Sequence, residues 1–158
     1  MQGPIPAALA PETRVSNVTG KDYIVVVQCD LVKQRCSGYF CEQAFHARSG
    51  GFADYARDKA YRTLYLTCGG CCGRALQRKL AHLVRKIHKQ EAIERSRLVV
   101  QLSSCITHDS HHAPPCPHLD YMKTFIARLG LDVREGTHIS QLSERRRREG
   151  VYQSRGTP

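Results

Sequence analysis

Short apolar runs alternate along the chain with longer amphipathic segments. Four runs rich in β-branched or other apolar residues predict buried strands at residues 23–27, 64–67, 98–102 and 131–134. After the second run, apolar residues recur at spacings of three and four. This predicts an amphipathic helix of about 16 residues with the stripe Leu76, Leu80, Leu83, Val84 and Ile87. A later stripe predicts another helix, which Gly130 ends, from Tyr121, Met122, Phe125, Ile126 and Leu129.

Two shorter helices are predicted between the first and second strands. They cover about residues 41–47 and about residues 52–59, and Gly50-Gly51 separates them. Strands that alternate with helices in this way predict parallel strands joined by right-handed crossovers, with helices on both faces of the sheet. The predicted fold is a small three-layer α/β sandwich of about four parallel strands in the order 2-1-3-4, similar in outline to flavodoxin.

The 158 residues suit one domain with terminal extensions. Residues 1–20, rich in Pro, Ala and Thr, predict a loose N-terminal arm. The domain is expected over residues 21–142, and residues 143–158 are expected to form a basic tail with little to pack.

The formal charge of +10 raises the question of a nucleic-acid partner. Much of the positive charge lies in the tail or on the polar side of the predicted 16-residue helix, where a solvated face explains it. The chain has no Trp and no aromatic platform among the basic residues. These features disfavour nucleic-acid binding, although attraction to acidic partners stays open.

The chain has no apolar run near the about 20 residues that cross a bilayer, and its N-terminus does not resemble a signal peptide. We therefore expect no membrane association and a cytoplasmic location. Eight cysteines in a reducing compartment favour metal binding or redox chemistry over structural disulfides.

Metal-ligating residue types follow all four predicted strands. Ligands bind outside the carboxyl ends of strands in an open parallel sheet. The strand ends carry Cys29, Cys68, Cys105 and His138. The following loops add Cys36, Cys41, Cys71 and Cys116. We predict that these eight side chains bind metal at one edge of the sheet.

The glycine-rich turn at residues 67–73 is the sharpest local signal. A Cys-x-x-Cys pair on a turn allows the sulfurs of Cys68 and Cys71 to reach one ion. Cys72 is either a further ligand or a small buried filler. The histidines of the loop at residues 108–118 are suggestive beside Cys116, but exposed loop histidines are more often unliganded.

Seven short blocks in order resemble the CGGC domain family over roughly residues 23–140. They are Cys29, Cys36-Ser-Gly-Tyr-Phe-Cys41, Phe52 with Tyr55, Cys68-Gly-Gly-Cys71, Ser104-Cys105-Ile106, Pro115-Cys116-Pro117 and Gly136-Thr137-His138. The resemblance implies a metal-binding domain, with zinc as the expected metal. The family's cysteines and histidine carry over onto the eight residues already named. Cys72 departs from the family pattern, which more usually has Pro there.

Seven cysteines and one histidine supply the ligands of two tetrahedral zinc sites, whereas an iron–sulfur cluster would use four cysteines.

A thiol enzyme is the main alternative to metal binding. Cys68 and Arg74 fit the Cys-(x)5-Arg pattern and resemble the phosphate loop of low-molecular-weight tyrosine phosphatases and thiol arsenate reductases, with Cys68 as nucleophile. In those enzymes a Ser or Thr usually follows the Arg, whereas here Ala75 does. Disulfide redox chemistry by Cys68 and Cys71, and a basic module for nucleic acid or acidic partners, are the remaining hypotheses.

Overall fold

The structure is a computed structural model that describes residues 18–154. Four parallel strands form one sheet in the order β2-β1-β3-β4, where β1 to β4 are Tyr23–Gln28, Arg62–Thr67, Leu98–Leu102 and Asp132–Glu135. The helices α1 to α6 are Asp30–Lys33, Tyr39–Ala47, Arg74–Glu91, Ser104–Thr107, Leu119–Arg128 and Gln141–Arg148. The predicted α/β class, parallel sheet and strand order are confirmed.

Helical layers cover both faces of the sheet because alternate side chains of the central strands point in opposite directions. On one face Val25 and Val27 pack with the apolar stripes of α3 and α5. On the other face Ile24 and Val26 pack with Ala44 of α2 and with two aromatic residues that follow it, Phe52 and Tyr55. All six residues of β1 are buried, as is typical of a strand with both faces covered. The result is the three-layer arrangement that the sequence predicts.

The amphipathic helix α3 follows the predicted pattern closely. Leu76, Leu80, Val84 and Ile87 are buried against the sheet, whereas Arg78, Arg85, Lys86 and Lys89 are exposed. The basic residues therefore form a solvated face, as the sequence predicts. In the part of the chain that the structure describes, neither α3 nor any other helix is long and apolar enough to span a membrane.

The predicted helix over residues 52–59 is wrong. A 3-10 helix, Gly50–Phe52, is present instead, and irregular turns follow it. Two carbonyl groups of this segment accept hydrogen bonds from the Arg48 side chain. Its Nε donates to Ala56 O at 3.1 Å, and its Nη2 donates to Lys59 O at 3.3 Å. These bonds hold the turns against the end of α2, and the turns bury Phe52 and Tyr55 without a continuous helix.

The prediction that the C-terminal segment has little to pack is wrong for residues 143–148, which belong to α6. The Ser140 hydroxyl caps this helix by accepting a hydrogen bond from Ser143 N at 3.4 Å. Arg147 turns inward, where its side chain is only 8% exposed and pairs with Glu144. A helical run of four arginines places one of them on the packed face, which composition alone does not reveal.

The predicted N-terminal arm up to residue 17, and residues 155–158, lie outside the described residues. The predicted domain boundaries stay a prediction.

The strand order places a topological switch point between β1 and β3. The chain leaves β1 toward β2 and then returns to the other side of β1 to form β3. The connecting helices α2 and α3 lie on opposite faces of the sheet, as right-handed crossovers in opposite directions require. In such sheets the crevice at the switch point is the usual ligand site.

A buried polar network supports the loop after β4 from behind. Gln101 in β3 is fully buried, and its Nε2 donates to Gly136 O at 2.6 Å and to Gly51 O at 3.0 Å. Its Oε1 accepts the Tyr55 hydroxyl proton at 2.8 Å. Gly51 N in turn donates to Thr137 O at 2.9 Å. The position of residues 136–138 is therefore tied to the core.

Tyr55→Phe is expected to lower the free energy of unfolding by about 1–3 kcal/mol, because it leaves the buried Gln101 Oε1 without its donor. Burial raises the pKa of Tyr55 above its usual value. A raised tyrosine pKa contributes stability that is lost as the pH rises above about 10, where the unfolded chain ionises. The difference between the two proteins, measured by urea unfolding, should therefore shrink above that pH. A difference that grows at high pH would contradict this account.

Candidate metal site

The segments that carry the predicted ligands leave the sheet at one edge. Cys68 N donates to Gln28 O at 2.9 Å and Ser103 N donates to Val27 O at 2.9 Å, which continues the ladder beyond β2 and β3. Gly136 N donates to Leu102 O at 2.7 Å beyond β4. These bonds hold the following loops side by side at the carboxyl edge.

Four thiols form a group that we call the thiol cluster: Cys29, Cys68, Cys71 and Cys116. Cys68 is buried, and Cys29 and Cys116 pack against the same apolar core. Burial raises the pKa of Cys116, the hydrogen bond from the His118 amide opposes this increase, and the thiols of Cys68, Cys29 and Cys71 add to it. Cys71 is exposed at the surface of the turn. The cluster therefore draws one residue from the first loop, two from the glycine-rich turn and one from the loop after β3.

Backbone amides point at the sulfurs of this edge. Asp30 N donates to Cys68 Sγ at 3.4 Å, and His118 N donates to Cys116 Sγ at 3.4 Å. Such bonds stabilise a thiolate over a thiol. The Asp30 carboxylate accepts from Thr67 Oγ1 at 2.7 Å, so it anchors the start of the turn.

Cys105 lies between the thiol cluster and a neighbouring cavity. Its sulfur accepts from Cys29 N at 3.4 Å and contacts Ser103 Oγ at 3.0 Å. Burial raises the pKa of Cys105, while these two hydrogen bonds oppose the increase and the charges of Cys41 and Cys29 add to it. Residues 29 and 105 thus meet at the switch point of the sheet.

The remaining predicted ligands line the cavity, which has a volume of about 220 Å³. They are Cys36, Cys41, Cys105 and His138. Cys41 Sγ forms a hydrogen bond with Thr137 Oγ1 at 3.2 Å. The His138 ring stacks on Phe40, with 4.7 Å between ring centroids, and burial lowers the pKa of His138. The eight predicted ligands therefore divide into the thiol cluster and this cavity group.

All eight cysteines are free thiols. Within residues 18–154, no three His, Cys, Asp or Glu side chains are close enough to form a ready-made metal site. Coordination would require the sulfurs of the thiol cluster to turn toward one another. A Cβ on Gly70 would meet open space, so no other element packs against the turn at that residue.

A family model described as the CGGC domain matches residues 23–138, from β1 to the last predicted ligand. The chain belongs to the CGGC domain family. Comparisons with curated proteins and with solved structures gave no match. The matched region contains all eight predicted ligands, so both groups of donors lie within the CGGC domain.

The turn that names the family depends on glycine at its end. Gly73 has a φ of +82° and begins α3, and a Cβ there would lie 2.8 Å from Met122 Sδ. The glycine thus allows both the left-handed backbone and the close approach of α5. Cys72 is exposed, so its interpretation as a buried filler is wrong.

The contacts of the turn do not favour a phosphate loop. Gly73 N donates to Gly70 O at 2.7 Å, so this amide is used within the turn. Arg74 is exposed at the start of α3. An oxyanion beside Cys68 would need amides and a guanidinium directed at one point.

Sequence reasoning missed Gln101, Thr137 and Arg147. Thr137 is fully buried and joins Cys41 to Ser104, whose backbone N donates to Thr137 Oγ1 at 3.2 Å. Its place beside His138 in the Gly-Thr-His block was the available signal. Gln101 could have been noticed as an amide within an apolar strand. The Arg147 position had no comparable signal, because its neighbours are also arginines.

Proposed function

We propose that this CGGC domain binds a thiophilic metal ion, zinc in the first instance, through Cys29, Cys68, Cys71 and Cys116. The observation that supports the proposal is that Cys68, Cys29 and Cys116 lie against one apolar core at the carboxyl edge of the sheet, with Cys71 on the same turn as Cys68. Four cysteines are a common donor set for tetrahedral structural zinc.

The chemistry of the thiol cluster fits such an ion. Cys68 and its neighbours lie beside the apolar core, where a charge is poorly solvated, and an isolated thiolate there is unfavourable. A zinc ion compensates several thiolates at once, and the amides of Asp30 and His118 already point at two of the sulfurs. Zinc would occupy a closed site, so its contribution would be to hold three loops together.

The cavity group provides donors for a second ion, as the sequence predicts for two zinc sites. In that group Cys41 forms a hydrogen bond with Thr137 and His138 is stacked on Phe40, so both side chains would have to leave these contacts to bind an ion. An iron–sulfur cluster on the thiol cluster is the alternative metal centre. Free thiols in the expected cytoplasmic environment are compatible with either centre.

The test is a zinc titration of metal-free protein by calorimetry at several pH values. We expect at least one ion to bind per chain and to raise the melting temperature, because the ion binds only the folded arrangement. The raised pKa of Cys116 means that this thiol is neutral before binding. Its proton must leave when zinc binds, so acidification should weaken binding by about tenfold per pH unit for each proton released.

Proton release is measured by repeating the titration in buffers with different ionisation enthalpies. Protein purified anaerobically without chelator should also contain zinc by elemental analysis. A brown protein that contains iron would instead indicate that the thiol cluster holds an iron–sulfur cluster. Absence of both metals, together with a melting temperature that zinc does not change, would overturn metal binding.

A further inference from the structure

The cavity beside the thiol cluster has a distinct chemical character. It lies at the switch point, between the loops after β1, β3 and β4 and the inward face of α6. Two cationic side chains, Lys33 and Arg147, contribute to its lining, and none of the described residues that line it is Asp or Glu. The charged side chains of this lining therefore favour an anion.

Arg147 supplies a buried donor in this lining. Its Nη1 pairs with Glu144, which does not line the cavity, and its Nη2 donates to Asp109 O at 2.6 Å. Its Nε is buried and has no hydrogen-bond partner among the described residues. A buried donor without an acceptor is unfavourable, and an anionic oxygen in the cavity would provide one.

Lys33 adds a second positive charge to the lining. Its Nζ donates to Ser37 O at 2.7 Å, and no carboxylate in the described part of the chain pairs with it. The hydroxyl groups of Ser104, Ser110, Ser140 and Ser143 also line the cavity. Charge and hydrogen-bonding capacity thus come from several elements that meet only in the folded protein.

Apolar and aromatic groups complete the walls. Val32 is buried, and the stacked rings of Phe40 and His138 form a flat surface beside Ile139. A volume of about 220 Å³ is below the roughly 300–1,000 Å³ of pockets for drug-sized ligands. A ligand that fits has a small apolar body and one anionic end.

We propose that the cavity binds a small organic anion, such as a planar carboxylate, through Lys33 and the Nε of Arg147. The carboxylate oxygens accept from these two cations, and the apolar body lies against Phe40, Val32 and Ile139. This site is separate from the thiol cluster, so the proposal does not depend on the metal. The anion occupies the crevice where the fold places ligands in other open parallel sheets.

Benzoate is a suitable probe because it combines a flat apolar ring with a carboxylate, and benzamide is its neutral counterpart of similar shape. The full chain is titrated with each compound by NMR, once as purified and once after chelation of metal. We expect benzoate to shift the amide signals of Gly38, Thr137 and Ser143 in both preparations. Benzamide should bind at least about tenfold more weakly, because it lacks the charge that the two cations recognise.

Three substitutions of a basic residue by glutamine test the assignment. Lys33→Gln and Arg147→Gln should each weaken benzoate binding by about tenfold. Lys89→Gln on the exposed face of α3 removes the same charge and should leave binding unchanged. If Arg147→Gln does not fold, the comparison of Lys33→Gln with Lys89→Gln still tests whether a cation of the cavity binds benzoate.

Equal binding of benzoate and benzamide, or equal loss in all three variants, would overturn the proposal. Binding that disappears on chelation would also overturn it, since the anion would then be a ligand of the metal. Binding that persists in metal-free protein supports the proposal even if the thiol cluster proves to hold no metal.

Discussion

Cys68→Ser is expected to remove most of the zinc from the thiol cluster, with binding weakened by at least about a hundredfold. Cys68 is the buried member of the cluster, and its sulfur already accepts a hydrogen bond from Asp30 N. A serine hydroxyl is a poor zinc ligand at neutral pH because it stays protonated, so only three thiolates would remain. Zinc content by elemental analysis and affinity by calorimetry measure the loss.

The melting temperature provides a second readout of the same variant. A ligand present at a hundred times its dissociation constant adds about 2.7 kcal/mol of stability, which corresponds to roughly 5–10 °C for a chain of this size. Zinc should therefore raise the melting temperature of the parent protein by this amount and that of Cys68→Ser much less. Comparison of the two metal-free proteins gives the separate cost of replacing a buried thiol.

Matched controls exist in the same turn. Cys71→Ser should behave like Cys68→Ser, because both sulfurs are proposed to bind one ion. Cys72→Ser changes an exposed neighbouring cysteine and should leave the zinc content intact. Arg74→Ala should also have no effect on zinc, whereas a phosphatase-like site would lose turnover of an aryl phosphate with either Cys68→Ser or Arg74→Ala. Unchanged zinc in both Cys68→Ser and Cys71→Ser, with turnover that depends on Arg74, would refute the metal proposal in favour of the enzyme.

Gly51→Ala is expected to destabilise the fold by about 3 kcal/mol, a large part of the stability of a typical domain. A Cβ on Gly51 would lie 2.1 Å from Gly136 O and 2.4 Å from Gly136 C. Both atoms belong to the backbone and are held by Gln101, so a side-chain rotation cannot relieve the clash. The φ angle of Gly51 is outside the left-handed region, so close approach alone causes the cost. Urea unfolding measures the effect.

Gly70→Ala is the comparison for this prediction. Gly70 has a φ of +107°, but a Cβ there would meet no heavy atom within 4 Å. Its cost should be about 1–2 kcal/mol, from backbone conformation alone. The Gly51 variant should in addition shift the NMR signals of Thr137 and His138, because its clash displaces the loop that carries them. A Gly51→Ala protein as stable as the parent would contradict the close contact between the backbones of residues 51 and 136.

Close packing behind the loop after β4 holds the boundary between the two proposed sites. Gln101 and Gly51 hold the Gly-Thr-His block from the core side, while Cys41 contacts Thr137 from α2. Cys105, next to Ser104, faces the boundary between the thiol cluster and the cavity.

The sheet and the clustering of cysteines at one of its edges could be predicted because their signals are local. The residues of β1 are apolar almost throughout, and a strand buried on both faces needs that pattern. The stripe of α3 repeats at the helical period, and each strand is followed by a Cys or His within a few residues. Once the strands are parallel, all these residues must reach the same edge. The sequence by itself therefore determined the architecture and the neighbourhood of the site.

The division of that edge into two groups depended on the tertiary structure. Cys29 N meets Cys105 Sγ although 76 positions separate the two residues, and Cys116 becomes a neighbour of Cys71 only through loop conformation. The inward position of Arg147 depended on which turn of α6 packs against Asp109. In each case the deciding interaction joins segments far apart in the chain, so local periodicity and spacing carry no record of it.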